Sequence, residues 1–268
     1  MENDIASIKN LIIQELANLP KKSNVTAWVS GIINVLDSKT MITSNIDDVS
    51  WFHKNGMSHC QSILDFGCGS GYITYIISRY CNKVTAYEYN GEWVGQQYTP
   101  SEYFKAFSLV QNIVKTNNQN IDFNFYNKLP LSIDSNSFDG IVMYAVIEHL
   151  DKSIESPVLN EINRILKPGG YLFIAKLPRV LSYQEHLARI LKIGSHEILY
   201  SRKKIINLLH AHGFTIKVIE KTGMFFNHPN KYTNLFFPFL SRIETLINKF
   251  FPFLKIFAHD YRIIAVKN

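Results

Sequence analysis

Short apolar runs alternate with amphipathic stretches along the middle of the chain. The runs that predict strands lie at 62–66, 83–87, 121–126, 138–143, 171–176, 214–220 and 261–266. Apolar residues at helical spacing predict helices among them, at 72–80, 101–115, 156–166 and 201–212. Strands that alternate with helices form βαβ units, so this order predicts an α/β sandwich of three layers around a seven-stranded, mostly parallel sheet.

The two flanks of this core have their own patterns. Residues 1–40 carry apolar positions at helical spacing with a break at Pro20, and residues 41–60 predict a loop or a short helix. We interpret residues 1–60 as an N-terminal helical flap and residues 61–220 as the core. Residues 221–268 add an aromatic cap segment and the last sheet strand, and the whole chain is predicted to be a single structural domain.

The aromatic segment, residues 235–257, contains two similar runs at 235–240 and 250–254. Pro238, Pro252 and the charged residues around the runs argue against a helix that spans a membrane. Two interpretations remain open, an amphipathic cap that closes a pocket and a surface that rests on an anionic membrane. Both favour a hydrophobic or lipid-linked ligand over a very small polar one.

Charge is distributed unevenly along the chain. Residues 176–268 hold 15 basic and 5 acidic side chains, a net charge of +10, whereas the whole chain carries +6. This asymmetry suggests an anionic partner near the C-terminal third, such as a phosphorylated substrate, a nucleic acid or an anionic membrane; scattered solvated lysines are the alternative. The three cysteines show no metal-ligand spacing, so no metal is predicted. Their odd number and a start without a secretory signal pattern favour the cytoplasm, with a peripheral membrane position as an alternative.

A glycine-rich loop follows the first predicted strand. Asp65 ends that strand, and Gly67, Gly69 and Gly71 follow at alternate positions. Glycine lets the backbone turn sharply and approach a ligand closely. No Lys-Ser/Thr pair follows, as a phosphate loop requires. Glu88 ends the second strand about twenty residues later, where a carboxylate can accept hydrogen bonds from two ribose hydroxyls.

Further motifs complete a recognisable set. Residues 129–131 read Leu-Pro-Leu, 137–139 Ser-Phe-Asp, 148–150 Glu-His-Leu and 166–170 Leu-Lys-Pro-Gly-Gly. With the glycine loop and Glu88, they resemble the class I S-adenosylmethionine-dependent methyltransferases, of the broad methyltransferase-domain type that modifies small molecules, lipids or sugars. The resemblance covers about residues 60–220. It implies a Rossmann-like fold and S-adenosylmethionine as cofactor, with S-adenosylhomocysteine as product.

The resemblance also implies roles for individual residues. Asp65 and Gly67 are expected to face the methionine part of the cofactor, with Gly69 and Gly71 shaping the turn. Glu88 is expected to bind the ribose, and Tyr144 and Ala145 to lie near the sulfonium. Tyr89 is expected to lie against adenine. The family usually has an acid before its Leu-Pro motif that contacts the adenine amine; this acid is absent here, and Asn127 is the candidate contact in its place.

Candidates for acceptor chemistry lie outside these motifs. His149, beyond the fourth strand, and His196, in the segment after the fifth, are the candidate bases; a structural role is the alternative for His149. Trp93, Tyr98 and Tyr200 are candidate substrate contacts, the first two within an apparent insertion at 90–103.

The favoured function is O-methylation of a small, glycan-type or lipid-linked acceptor. The alternatives are a tRNA or other RNA methyltransferase and a non-catalytic S-adenosylmethionine-binding protein. Nucleic acid is the less favoured partner because the sequence contains no separate RNA-binding module.

Overall fold

Seven strands form one sheet in the order β3-β2-β1-β4-β5-β7-β6. The computed structural model describes residues 1–21, 23–90, 100–192, 196, 198–224 and 231–268. The strands are β1 Ile63–Phe66, β2 Val84–Tyr89, β3 Ile121–Tyr126, β4 Phe138–Tyr144, β5 Leu166–Pro178, β6 Phe214–Thr222 and β7 Asp260–Lys267. β1 to β5 are parallel, and β7 runs antiparallel to both β5 and β6. The predicted fold class and all seven predicted strands are confirmed.

Helices cover both faces of this sheet. They are α1 Glu2–Ala17, α2 Asn24–Asp37, α3 Lys39–Lys54, α4 Tyr72–Ser78, α5 Pro100–Asn117, α6 Lys152–Ile165, α7 Tyr183–Leu191, α8 Arg202–Ala211 and α9 Lys231–Phe250. Successive strand residues point to opposite faces, so Ile63 packs in the core beneath α1 to α5 while Leu64 packs in the core that α6 and α8 cover. The N-terminal helices therefore share a hydrophobic core with the sheet.

The prediction of a loop or short helix at 41–60 is wrong, because α3 is a long helix in this region. Ser38 caps it by accepting a hydrogen bond from the Met41 N–H at 3.3 Å. Two of its inward-facing positions, Asn45 and Asp48, are polar and buried. The hydroxyl of Tyr144 lies 2.6 Å from Asn45 Oδ1 and 3.0 Å from Asp48 Oδ2. Buried polar residues of this kind interrupt the apolar periodicity by which an amphipathic helix is recognised in a sequence.

The aromatic segment contains α9 and a short 3-10 turn, Pro252–Phe257, that leads into β7. The Arg179 guanidinium, just beyond β5, holds this turn in place by donating to the carbonyl oxygens of Lys255, Ile256 and Ala258 at 2.5–3.2 Å. In the described part of the chain, no helix combines the length and apolar character needed to cross a membrane.

Candidate functional site

The glycine loop joins β1 to α4 and has the backbone that its spacing predicts. Gly67, Gly69 and Gly71 have φ values of +76°, +55° and +83°. A Cβ on Gly67 would lie 2.6 Å from Val146 Cγ2, so no larger residue fits there without a shift. Gly69 is less crowded, since its Cβ would meet only the Phe107 ring at 3.5 Å. The loop is therefore a tight turn whose backbone remains open near Gly69.

Asp65 carries an unusual carboxyl group beneath this loop. It is 1% exposed; its Oδ2 accepts from the Thr74 hydroxyl at 2.6 Å, while its Oδ1 is buried without a hydrogen-bond partner in the described structure. Burial raises the pKa of Asp65 to about 7, despite the hydrogen bond from Thr74. A buried acceptor without a partner is costly, so this oxygen is suited to a donor or a cation supplied by a ligand.

Glu88 lies beside the loop because β2 pairs with β1. Its Oε2 accepts from the Gly69 N–H at 2.6 Å, and the Tyr103 hydroxyl donates to its Oε1 at 3.4 Å. Burial raises the pKa of Glu88 to about 7, although the hydrogen bond from Gly69 opposes the shift. Among the described residues neither Asp65 nor Glu88 forms an ion pair. Two buried carboxyl groups without a protein cation fit a ligand that carries a cationic amine and ribose hydroxyls, as S-adenosylmethionine does.

The helix after the second strand supplies residues that sequence reasoning missed. Gln111 of α5 donates from Nε2 to the Gly69 carbonyl oxygen at 2.6 Å, and the Tyr103 and Phe107 rings lie 4.1 Å apart beside it. These three residues recur every fourth position along α5, and that spacing predicts a common helix face. The face therefore contacts both the loop, through Gln111, and Glu88, through Tyr103.

The two adenine assignments lie at the neighbouring strand ends. Tyr89 pairs with Tyr126 of β3, and their rings lie 5.3 Å apart. Asn127 follows β3 directly and is exposed. The carboxyl ends of parallel strands form the usual ligand edge of such a sheet, and both residues stay predicted contacts.

A second group of residues lies beyond the carboxyl end of β4. Ala145 is exposed with a φ of +54°, and the chain then forms a short 3-10 turn over Ile147–His149. The hydroxyl of Tyr144 points towards Asn45 and Asp48 of α3. Of the two residues predicted to lie near the sulfonium, Tyr144 and Ala145, only Ala145 is therefore exposed. His149 is half-exposed, and its Nε2 lies 3.8 Å from Glu148 Oε1. Both carboxylate oxygens of Glu148 are buried without a hydrogen-bond partner in the part of the chain that the structure describes.

His196 lies close to His149, so the structure brings the two candidate bases together. Their ring centroids are 5.8 Å apart. Glu185 of α7 fixes His196 by accepting from its backbone N–H at 2.9 Å and contacting its Nδ1 at 2.6 Å. The same carboxylate contacts His259 Nε2 at 2.9 Å, and His259 Nδ1 contacts Asp260 at 2.5 Å. A chain of alternating imidazoles and carboxylates therefore runs from His196 through Glu185 and His259 to Asp260, at the start of β7.

The pKa values reflect these contacts. Burial opposes ionisation of Glu185, but hydrogen bonds from His259 and His196 outweigh it and lower its pKa to about 2. Burial favours the neutral form of His259 and so lowers its pKa. The hydrogen bonds of His259 with Asp260 and Glu185 outweigh this effect and raise the His259 pKa to about 9. Burial also raises the pKa of Glu148. Glu148 belongs to the Glu-His-Leu motif at 148–150 but received no site role from the sequence, and Glu185 and His259 lie in segments that carry no motif.

Of the three candidate substrate contacts, the structure describes only Tyr200. Tyr200 is fully buried, and its hydroxyl donates to Glu155 Oε1 at 2.8 Å, so the structure places it in the core rather than on an exposed wall. Trp93 and Tyr98 lie outside the described residues.

Comparisons with known proteins agree with this geometry. The family described as "Methyltransferase domain" matches residues 64–174. An uncharacterized methyltransferase of Schizosaccharomyces pombe is 26% identical over 187 residues, which are 64% of this chain and 60% of that protein. A ubiquinone biosynthesis O-methyltransferase of Xanthomonas oryzae pv. oryzae is 25% identical over 50% of this chain and 53% of its own. The matches thus span less than two thirds of either relative.

Solved structures share the fold. The N-methyltransferase NodS of Bradyrhizobium japonicum, crystallised with S-adenosylhomocysteine, superposes with a TM-score of 0.53 at 11% identity, over 97% of this chain and 98% of its own. A putative sarcosine dimethylglycine methyltransferase of Galdieria sulphuraria gives a TM-score of 0.56 at 15% identity, over 85% and 86%. Residues 64–174 thus match a methyltransferase domain, and the strand order gives the chain the Rossmann-like fold of the class I S-adenosylmethionine-dependent methyltransferases.

Proposed function

We propose that this protein methylates an oxygen atom of a small, glycan-type or lipid-linked acceptor, with lipid-linked and glycan-type hydroxyl compounds as the first classes to test. The observation that carries the proposal is the pair of imidazoles, His149 and His196, beyond the end of β4. Val146 connects this pair to the cofactor loop, because it packs against Gly67 only three residues before His149. The proposed base pair and the cofactor loop therefore share one edge of the sheet.

Oxygen acceptors suit these imidazoles. S-adenosylmethionine supplies a methyl group on a cationic sulfur, so transfer to a hydroxyl breaks the S–CH3 bond, forms an O–CH3 bond and releases the thioether and one proton. A hydroxyl reacts faster when a neighbouring group helps its proton to leave, whereas a neutral amine already presents a lone pair. The O-methyltransferase relative from Xanthomonas oryzae supports the same acceptor atom.

The protein's own residues hold the reactants and exclude water. The Asp65 and Glu88 carboxylates bind the cationic and ribose parts of the cofactor, and the tight turn at Gly67 brings the backbone close to it. In-line displacement from an activated donor depends mainly on such positioning and desolvation.

An exposed aromatic face supports an apolar or lipid-linked acceptor. Leu235, Phe239, Leu246 and Phe250 recur on one side of α9, and each exposes more than half of its surface. Phe251 and Phe253 extend this face into the following turn. We call these six residues the aromatic face. The turn ends two residues before His259, so the aromatic face adjoins the imidazole chain in sequence.

We propose that the aromatic face rests on an anionic lipid bilayer. Exposed Arg242 and Lys249 lie on the same side of α9 as its apolar residues, which is the arrangement of a helix that inserts apolar side chains among anionic headgroups. The net charge of +10 on residues 176–268 favours the same kind of surface. A membrane position would give the site access to a lipid-linked acceptor.

A labelled-methyl screen tests the reaction. Purified protein is incubated with tritiated S-adenosylmethionine and with extract fractions that contain lipids, glycans, small metabolites or RNA. We expect label in the lipid or glycan fraction, as base-stable methyl ether. The double variant His149→Gln/His196→Gln should lose transfer and still bind S-adenosylmethionine by calorimetry, while His210→Gln, an exposed histidine of α8, serves as the matched control. Label in RNA, or none in any fraction, contradicts the proposal.

Liposome co-sedimentation tests the membrane contact separately. Phe250→Ser/Phe251→Ser should weaken binding to vesicles with anionic lipid by roughly tenfold or more, because two partly inserted phenylalanines are lost. Ile154→Ser removes an equally exposed apolar residue from α6 and should have no effect. Equal binding by both variants, or no preference for anionic over neutral vesicles, refutes this contact.

A further inference from the structure

The residues beyond β4 form a cluster whose composition is that of a metal site. Ligand atoms of Glu148, His149 and His196 all lie within 4.8 Å of one another. A second group, Glu185, His196 and His259, satisfies the same criterion and shares His196. Two imidazoles and one carboxylate are a common ligand set for zinc and other divalent transition metals in enzymes.

Glu148 gives the independent reason to expect a cation. Its side chain is 1% exposed, yet neither carboxylate oxygen has a hydrogen-bond partner in the described structure. The nearest cationic candidate is His149 Nε2, 3.8 Å from Oε1, which is too far for a hydrogen bond. A buried carboxyl group that makes no hydrogen bond is costly to the fold unless a proton or a cation compensates it. It therefore faces a position that an ion can fill.

The surroundings of His196 have the form expected around a metal ligand. Its Nδ1 is engaged by Glu185 at 2.6 Å, which leaves Nε2 as the coordinating nitrogen. Glu185 is fixed in turn by His259, and His259 by Asp260. Metal-bound histidines usually place their other ring nitrogen against a carboxylate, which orients the ring and increases its basicity. The chain from Glu185 to Asp260 does this for His196.

We propose that Glu148, His149 and His196 bind one divalent transition-metal ion of the zinc class. Bond lengths of about 2.1 Å in a tetrahedral site require ligand atoms about 3.4 Å apart, so atoms that lie within 4.8 Å of one another must approach by up to about 1.4 Å when the ion binds. Half-exposed His149 can make that movement. Three protein ligands leave at least one coordination position open towards solvent.

The role of the ion rests on the proposed function. The open position accepts the oxygen of the acceptor hydroxyl, and the metal lowers the pKa of that hydroxyl. Its proton would pass to water at the exposed mouth, and the oxygen would form the O–CH3 bond as the S–CH3 bond breaks and the thioether leaves. His149 and His196 act in this scheme as ligands rather than as free bases.

Metal binding is measured directly on the full chain after treatment with a chelator. Calorimetry with Zn²⁺ should give one site with micromolar or tighter affinity, and Co²⁺ should give the visible absorption of a four- or five-coordinate ion. Glu148→Gln and His149→Gln should remove this site. Glu185→Gln should weaken it by about 10–100-fold, because it changes only the group that orients His196. His210→Gln is the matched control and should bind as the wild type does.

Two outcomes overturn the proposal. One is the absence of Zn²⁺ binding at micromolar concentrations, and the other is equal binding by wild type and by His149→Gln/His196→Gln, which would assign the ion to adventitious surface histidines. The variants' melting temperatures and S-adenosylmethionine affinity are measured in parallel. Normal cofactor binding without metal binding refutes the metal site alone, whereas failure of cofactor binding in the wild type refutes the proposed function.

Discussion

Replacing Asp65 by asparagine should stabilise the ligand-free protein at alkaline pH while it weakens cofactor binding. Asp65 is buried, with one oxygen bonded to Thr74 and the other without a partner among the described residues. Its carboxylate is thus held in an environment that favours the neutral form. Asparagine has nearly the same shape and cannot ionise, so it removes the cost of charging this position.

The size of the effect follows from the pKa of Asp65. Burial raises this pKa from 3.8 to about 7. Between these values the folded protein holds a proton that the unfolded chain has lost, so stability of the wild type falls as the pH rises. Each pH unit below the folded pKa contributes about 1.4 kcal/mol, so the two units from pH 5 to pH 7 give about 3 kcal/mol, and the further rise to pH 8 adds little. The fixed cost of the new amide is the same at both pH values and cancels in this difference.

Urea unfolding followed by circular dichroism measures the effect. The free energy of unfolding of Asp65→Asn minus that of the wild type should rise by about 3 kcal/mol from pH 5 to pH 8. Calorimetry should show S-adenosylmethionine binding at least tenfold weaker in the variant at pH 8, because the carboxylate that faces its cationic end is lost. A stability difference that does not change with pH refutes the reasoning about burial, and unchanged affinity refutes the assignment of Asp65 to the cofactor.

Three further predictions concern stability. Gly67→Ala should lower the free energy of unfolding by about 2 kcal/mol, because the new Cβ would lie 2.6 Å from Val146 on a backbone with a positive φ. Urea titration measures this change, and unchanged stability contradicts the crowding argument. Lys176→Met should cost about 2 kcal/mol in the same assay, since it removes the ammonium 3.0 Å from the buried Asp48 carboxylate and leaves it with the Tyr144 hydroxyl and with Arg262, 3.5 Å away; a neutral effect would show that these two groups suffice. The pKa of Asp139 is lowered to about 2 because hydrogen bonds from Lys167 and Ser62 outweigh burial, so its contribution is complete above the unfolded pKa of 3.8 and disappears as the pH falls through 2. Asp139→Asn should therefore cost about 1–2 kcal/mol at pH 6 and almost nothing at pH 2, and an equal cost at both values would be inconsistent with ionisation.

The residues of the cofactor half of the site could be predicted because they lie close to one another in the sequence. Asp65, Gly67, Gly69 and Gly71 belong to one strand–turn–helix unit, and the spacing of their residue types determines its backbone. Glu88 follows one βα unit later at the end of the neighbouring strand. Local periodicity is enough to place such residues at a common sheet edge.

The acceptor half was less predictable, because it depends on long-range packing. His149 and His196 were candidates separately, but their proximity depends on α7, which the sequence pattern did not predict. Glu185, on that helix, contacts His259 across 74 positions of the chain. The polar face of α3 was hidden for a similar reason, since the partner of Asn45 is Tyr144, 99 residues later. No local pattern carries information about contacts of this kind.

The position of β7 in the sheet makes the order of synthesis matter. β7 follows every other described strand in the chain, yet it lies between β5 and β6. While a ribosome is still translating residues 260–267, β5 therefore has an unpaired edge and β6 has no place in the sheet. His259 and Asp260 arrive with the same segment, so a nascent or truncated chain lacks sheet closure and the end of the imidazole chain together.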